Sequence, residues 1–145
     1  MQVGQGQPHG QPRDGERAVI IHGAADVAAV LLMAAGRPVA LLSAPGVAGY
    51  LGIAGFAALL QPHDALRLGI LDAADAPGYA LAALRTGFLR VVLQPELPAF
   101  AALAELATGM GAVLLPAPPA ALDLARVDLR KPKGIQHLAN WLDLP

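Results

Sequence analysis

Five short apolar runs divide the chain, each ended by a polar or turn residue and most followed by a segment whose apolar positions recur at helical spacing. Residues 18–22, 39–42, 67–71, 89–93 and 112–115 are these runs. Their β-branched and aliphatic content over so few residues predicts strands rather than helices. Between them, Val27, Val30, Leu31 and Ala34 share one helix face, as do Leu81 and Leu84, and Gly36, Gly87 and Gly109 stand where helices end. The remaining intervening helices are expected over Val47–Leu60 and Ala99–Thr108.

Five strands alternating with four helices through short connections describe an α/β domain with a mainly parallel sheet. The strands carry no polar alternation, as expected of a sheet covered on both faces. The reading is therefore a doubly wound five-stranded sheet with helices on both faces. A half (β/α)8 barrel-like arrangement, fed by the same alternation, is the alternative. Past Pro119 the periodicity fades, and Ala121–Arg130 fits a loop with a short strand or a single turn. Lys133–Leu142 predicts a last helix, with Ile135, Leu138 and Trp141 on one face and Trp141 as a packing anchor.

The stretch Pro38–Phe56 organises the chain, as a strand turning through Ser43-Ala-Pro-Gly46 into a helix marked by glycines at 46, 49, 52 and 55. Pro45 suits a first helical position, with Ser43 or Ala44 at the cap. Each interior glycine costs about 1 kcal/mol against alanine, so the stripe predicts a close approach by a backbone or a ligand. Pro38–Pro62 carries no charge and is long enough for a bilayer, which needs about 20 apolar residues. Its internal Pro-Gly pair, and the strands and helices elsewhere that it would leave without a sheet, favour a domain with no membrane partner.

Composition adds two constraints. Hydrophobic residues make up 55% and charged residues 14% of the chain, so apolar surface has to be covered, and a homo-oligomer is expected. There is no cysteine, which removes disulfides and thiol chemistry, and the net charge of −1 gives no footprint for nucleic acid. Arg126, Arg130, Lys131 and Lys133 are interleaved with Asp123 and Asp128 and read as a solvated face. Residues 1–17 are rich in glutamine, glycine and charge and read as a disordered tail before one domain over 18–145. They lack the apolar run of a secretory signal, and a cytoplasmic location is expected.

In a parallel α/β sheet a ligand site lies outside the carboxyl ends of the strands. His22, Ser43 and Asp72 fall there and have the residue types of a nucleophilic triad, although Ser43 lacks the Gly-x-Ser-x-Gly setting. Helix capping by Ser43 and Asp72, with His22 bonded to backbone, explains the same residues without catalysis. Asp72, Asp75 and His22 are also metal-ligand types, but Asp75-Ala-Pro-Gly reads as a helix entry and no metal is assigned. Backbone N–H groups at Gly46 and Val47 suit an anion, and Asp75, Gln94 and Glu96 complete the edge. No cofactor fingerprint is present: no Lys follows the glycines, and Gly-x-Gly is missing.

The blocks Leu42-Ser-Ala-Pro-Gly46 and Leu71-Asp-Ala-Ala-Asp-Ala-Pro-Gly78, with Ala80-Leu-Ala-Ala-Leu-Arg85 after the second, resemble blocks of a group of small uncharacterised bacterial α/β proteins. The resemblance implies no activity and directs attention to those two loops. Two functions follow from the residues. One is a self-associating module that binds a small anionic ligand at the carboxyl edge. The other is a small enzyme acting on an anionic or carbonyl metabolite, with His22 as acid/base and Asp72 as its partner.

Overall fold

The computed structural model describes residues 12–46 and 51–145. They form an α/β domain with one parallel sheet of six strands: β1 Arg17–Ile20, β2 Val39–Leu42, β3 Gly69–Asp72, β4 Arg90–Val92, β5 Val113–Leu115 and β6 Ala121–Asp123. The helices are α1 Ala24–Ala34, α2 Ile53–Leu60, α3 Pro77–Thr86, α4 Phe100–Gly109 and α5 Pro132–Trp141. All five apolar runs contribute strands, each trimmed or shifted by a residue or two except Val39–Leu42. The run at 67–71 begins instead in a 3-10 turn, Leu66–Leu68. The sixth strand comes from the segment whose periodicity is ambiguous.

The order β5-β4-β3-β2-β1-β6 corrects the doubly wound expectation. From β1 to β5 the chain steps in one direction only, and right-handed crossovers that never reverse place every connecting helix on the same face. The buried side chains agree. Val27 and Val30 of α1, Phe56 and Leu60 of α2, Ala83 and Leu84 of α3, Leu103 of α4 and Leu138 of α5 share one core with Val19, Leu41, Leu71, Val91 and Leu114 of the sheet. Phe56 and Phe88 stack there with ring centroids 5.8 Å apart. The alternate strand positions, Ala18, Ala40, Leu42, Ile70 and Val92, form a separate small cluster to which no helix contributes.

The helix-free face is covered by curling the sheet. Register sets Leu115 level with Val92 and Asp72, and Ala121 level with Ala18, four residues lower along the strands. Crossing five strand spacings with that offset demands about 25 Å or more on a flat sheet. The link Pro116–Ala120 spans at most about 22 Å when fully extended. The sheet therefore bends around the helix-free face, as in a segment of a β/α barrel. Ala117, Pro119 and Ala120 of the link lie over Ala18 and Ile70 there.

Two further expectations change. Glu16 is buried against Arg90 and Arg17 opens β1, so the ordered domain starts before residue 18; residues 1–11 of the expected tail lie outside the described residues. The glycine-striped helix is shorter than its pattern. Gly46 has φ +68° and Gly52, the N-cap residue of α2, has φ +82°. Both therefore serve left-handed backbone that glycine alone adopts without cost. Val47 and Gly49 fall outside the described residues. Gly55 is inside α2, where an added Cβ would meet only the Leu51 side chain.

Candidate functional site

Strand β1 ends at Ile20, and three residues later the chain turns into α1 at Gly23. The turn is held by Asp26, whose Oδ2 accepts the His22 backbone N–H at 2.8 Å. That fixes His22 at the carboxyl edge, beside the end of β6. Its Nε2 lies 2.6 Å from Oδ1 of Asp123, and both side chains are about one-third exposed, at 37% and 33%. Asp123 is the last residue of β6 and also accepts the Ala125 N–H at 2.9 Å, which starts the 3-10 turn Leu124–Arg126. Burial opposes ionisation of Asp123, but the hydrogen bonds from His22 and Ala125, with the charges of His22 and Arg126, outweigh it. Its carboxyl is held below the ordinary range.

Among the described residues no side chain–side chain hydrogen bond joins the predicted His22, Ser43 and Asp72, and the link between two of them runs through the Asp72 backbone. Ser43 is fully buried and its Oγ accepts the Asp72 backbone N–H at 2.9 Å, so it ties β2 to β3 rather than capping a helix. Asp72 is 4% exposed, and its Oδ1 accepts the Ala74 N–H at 2.9 Å in a tight turn where Ala74 has φ +54°. Burial pushes the Asp72 carboxyl above its ordinary value, partly offset by the Ala74 bond. The Gly46 N–H is taken by the Asp72 carbonyl and so is not free for an anion, α2 begins at Ile53, and Val47, the other residue of the expected anion site, lies outside the described residues. Asp75, Gln94 and Glu96 are exposed, and Ala76, not Asp75, occupies the N-cap of α3. The Gln94 N–H bonds the Ala74 carbonyl, which brings the loops after β3 and β4 side by side.

Beyond Asp123 the chain builds a cleft of about 510 Å³ between Arg126–Asp128 and one face of α5, where Lys133, Gln136, His137 and Asn140 follow at helical spacing. Lys131, at the N-cap of α5, lies at its rim. Gly134 sets how closely the two walls meet, since a Cβ there would overlap the carbonyl oxygen of Asp128. The four cations are all exposed, as a solvated face requires, but they differ in their partners. Arg130 is held by Asp128 through two bonds of 3.0 and 3.1 Å, and Asp123 is engaged by His22. Among the described residues, Arg126, Lys131 and Lys133 have no salt-bridge partner and line the same cleft.

Asp123 is the site residue that sequence reasoning missed. Its signal is that Ala121-Leu-Asp123 repeats the pattern of Ile70-Leu-Asp72, an apolar run closed by aspartate. Among the described residues no group of three or more histidine and acidic side chains is placed to hold a metal ion, and no helix is long and apolar enough to cross a membrane. No protein-family model, curated protein or solved structure matches the chain.

Proposed function

We propose that this domain binds a small anionic ligand, a phosphate- or carboxylate-bearing metabolite, in the cleft between the end of β6 and α5. The observation that carries this reading is the convergence on one cavity of Arg126, Lys131 and Lys133, none of them in a salt bridge among the described residues, while the carboxylate that lines it, Asp128, is bonded to Arg130. An excess of cations over carboxylates in a concave site raises the local concentration of anions. The test is thermal unfolding in pyrophosphate against chloride at matched ionic strength, because a ligand that binds only the folded state raises the midpoint. Pyrophosphate is expected to raise it in the wild type and in Arg130→Gln. A triple variant, Arg126→Gln with Lys131→Gln and Lys133→Gln, is expected to lose the increment. An unchanged increment in the triple variant would remove the cleft from consideration.

A second reading, proton transfer, is favoured by the His22–Asp123 pair, because a carboxylate bonded to an imidazole orients it for acid–base work. Asp123 replaces Asp72 as the partner in that reading. Turnover of a ligand bound at the carboxyl edge beside this pair should then be abolished in His22→Gln with affinity retained, and undiminished turnover would end this reading. Self-association belongs to both readings. Leu32 on α1 is 81% exposed, and Tyr79, Leu106 and Met110 are also large apolar side chains open to solvent on the helix layer.

A further inference from the structure

The cleft between β6 and α5 is polarised along the helix. Its cations gather at one end, where Lys131 and Lys133 stand at the N-cap and in the first turn of α5, with Arg126 on the other wall. Seven residues beyond Lys133, about 10 Å along the axis at 1.5 Å per residue, Asn140 lines the same cleft. Gln136, one turn before it, also lines the cleft and donates from Nε2 to Asn140 Oδ1 at 2.8 Å. That bond fixes which side of the Asn140 carboxamide is oxygen, and it leaves one acceptor lone pair and both Nδ2 hydrogens free. Among the described residues neither carboxamide makes another side-chain hydrogen bond. The volume of about 510 Å³ falls in the range of sites for organic ligands and exceeds what a bare inorganic anion fills.

We infer that the anion bound here is one end of a nucleotide-like phosphomonoester, its phosphate at Arg126, Lys131 and Lys133 and an adenine-type edge, with adjacent donor and acceptor, against Asn140. The inference rests on the anion-binding reading above and adds the neutral half of the ligand. A carboxamide meets such an edge with two bonds at once, accepting from the 6-amino group and donating to the neighbouring ring nitrogen. Gln136 is a positioning residue, since it holds the Asn140 amide in one orientation. The stretch of α5 between the two ends leaves room for the sugar that joins phosphate to base.

The experiment titrates the whole chain with AMP, ribose 5-phosphate and pyrophosphate at constant ionic strength, reading dissociation constants from NMR shifts. AMP is expected to bind about tenfold more tightly than ribose 5-phosphate, with the Asn140 side-chain amide signals moving for AMP alone. Asn140→Leu, a change at an exposed position, should bring AMP to the ribose 5-phosphate level while pyrophosphate binding stays as it was. Equal binding of AMP and ribose 5-phosphate, with pyrophosphate still saturable, would overturn the nucleotide and leave the anion site standing. No saturable response to any of the three would remove the anion site and this inference together. An AMP preference that survives Asn140→Leu would overturn the placement of the base on α5.

Discussion

Replacing Gly134 with alanine tests whether the walls of the cleft are built as described. In an ordinary helix the change gains about 1 kcal/mol, because glycine loses the most backbone freedom on folding. Here the new Cβ would overlap the Asp128 carbonyl oxygen, a backbone atom that no rotamer change can move away. That carbonyl also accepts the Lys131 N–H at 3.2 Å, so displacing it disturbs the turn into α5. Overpacking typically costs 1–3 kcal/mol, and a backbone clash belongs at the upper end. The net expectation is destabilisation by about 1–2 kcal/mol, read as a lower urea midpoint at unchanged slope. Gly55→Ala is the internal control. Its Cβ would touch only the side chain of Leu51, which is 39% exposed and free to turn aside, so a gain of about 0.5–1 kcal/mol is expected. Stabilisation of both variants would show that α5 and the Arg126–Asp128 wall do not meet at Gly134, and the shape of the cleft would have to be redrawn.

Glu16→Ala should destabilise the domain by about 3–5 kcal/mol, because it strands the buried Arg90 charge; a loss below about 0.5 kcal/mol in urea unfolding would return Glu16 to a loose tail. The two carboxyls at the edge should act on stability with opposite sign, Asp123 on the acid side of its usual value and Asp72 above it. Asp123, held below its usual value of 3.8, contributes stability that is present above that value and lost as pH falls through its folded pKa, and Asp123→Asn should remove that acid-side loss. Asp72 is raised above 3.8, so its contribution is present below that value and lost as pH rises through its folded pKa. Asp72→Asn, which keeps an oxygen for Ala74, should abolish that loss and unfold at higher urea at neutral pH; no gain there would contradict the burial argument. Sedimentation at micromolar concentration should give a mass above the 14.8 kDa of one chain, and Leu106→Glu should reduce it; a monomer in the wild type would remove self-association.

Strand positions were readable because an apolar run of four or five residues closed by a turn has few other uses. Their order was not, since nothing in Val39–Leu42 or Val91–Leu93 specifies which neighbour it pairs with or which face its crossover takes. Helices over both faces and helices over one face produce the same alternation. The difference lies in whether the strand order reverses, and here the chain crosses back only through the five residues Pro116–Ala120. Glycine was ambiguous for a related reason. Gly46 and Gly52 supply left-handed backbone, whereas the glycines at which a neighbour comes close are Gly134 against Asp128 and Gly69 against Leu60 and Phe88. Spacing cannot separate those two uses. At the site, the placement of His22 at the carboxyl edge followed from the strand before it, but its partner was out of reach of sequence reasoning. Three residues of β6 are too few to establish a period, and Asp123 lies 101 positions away.

The claim that an anion binds beside β6 is tested most directly by an amide NMR titration with pyrophosphate at constant ionic strength. Saturable shifts confined to Arg126–Asp128, Lys131 and Lys133–His137 are the predicted result. Shifts centred on Gly46, Asp75–Gly78 and Gln94–Glu96, or no saturable shift at all, would contradict it.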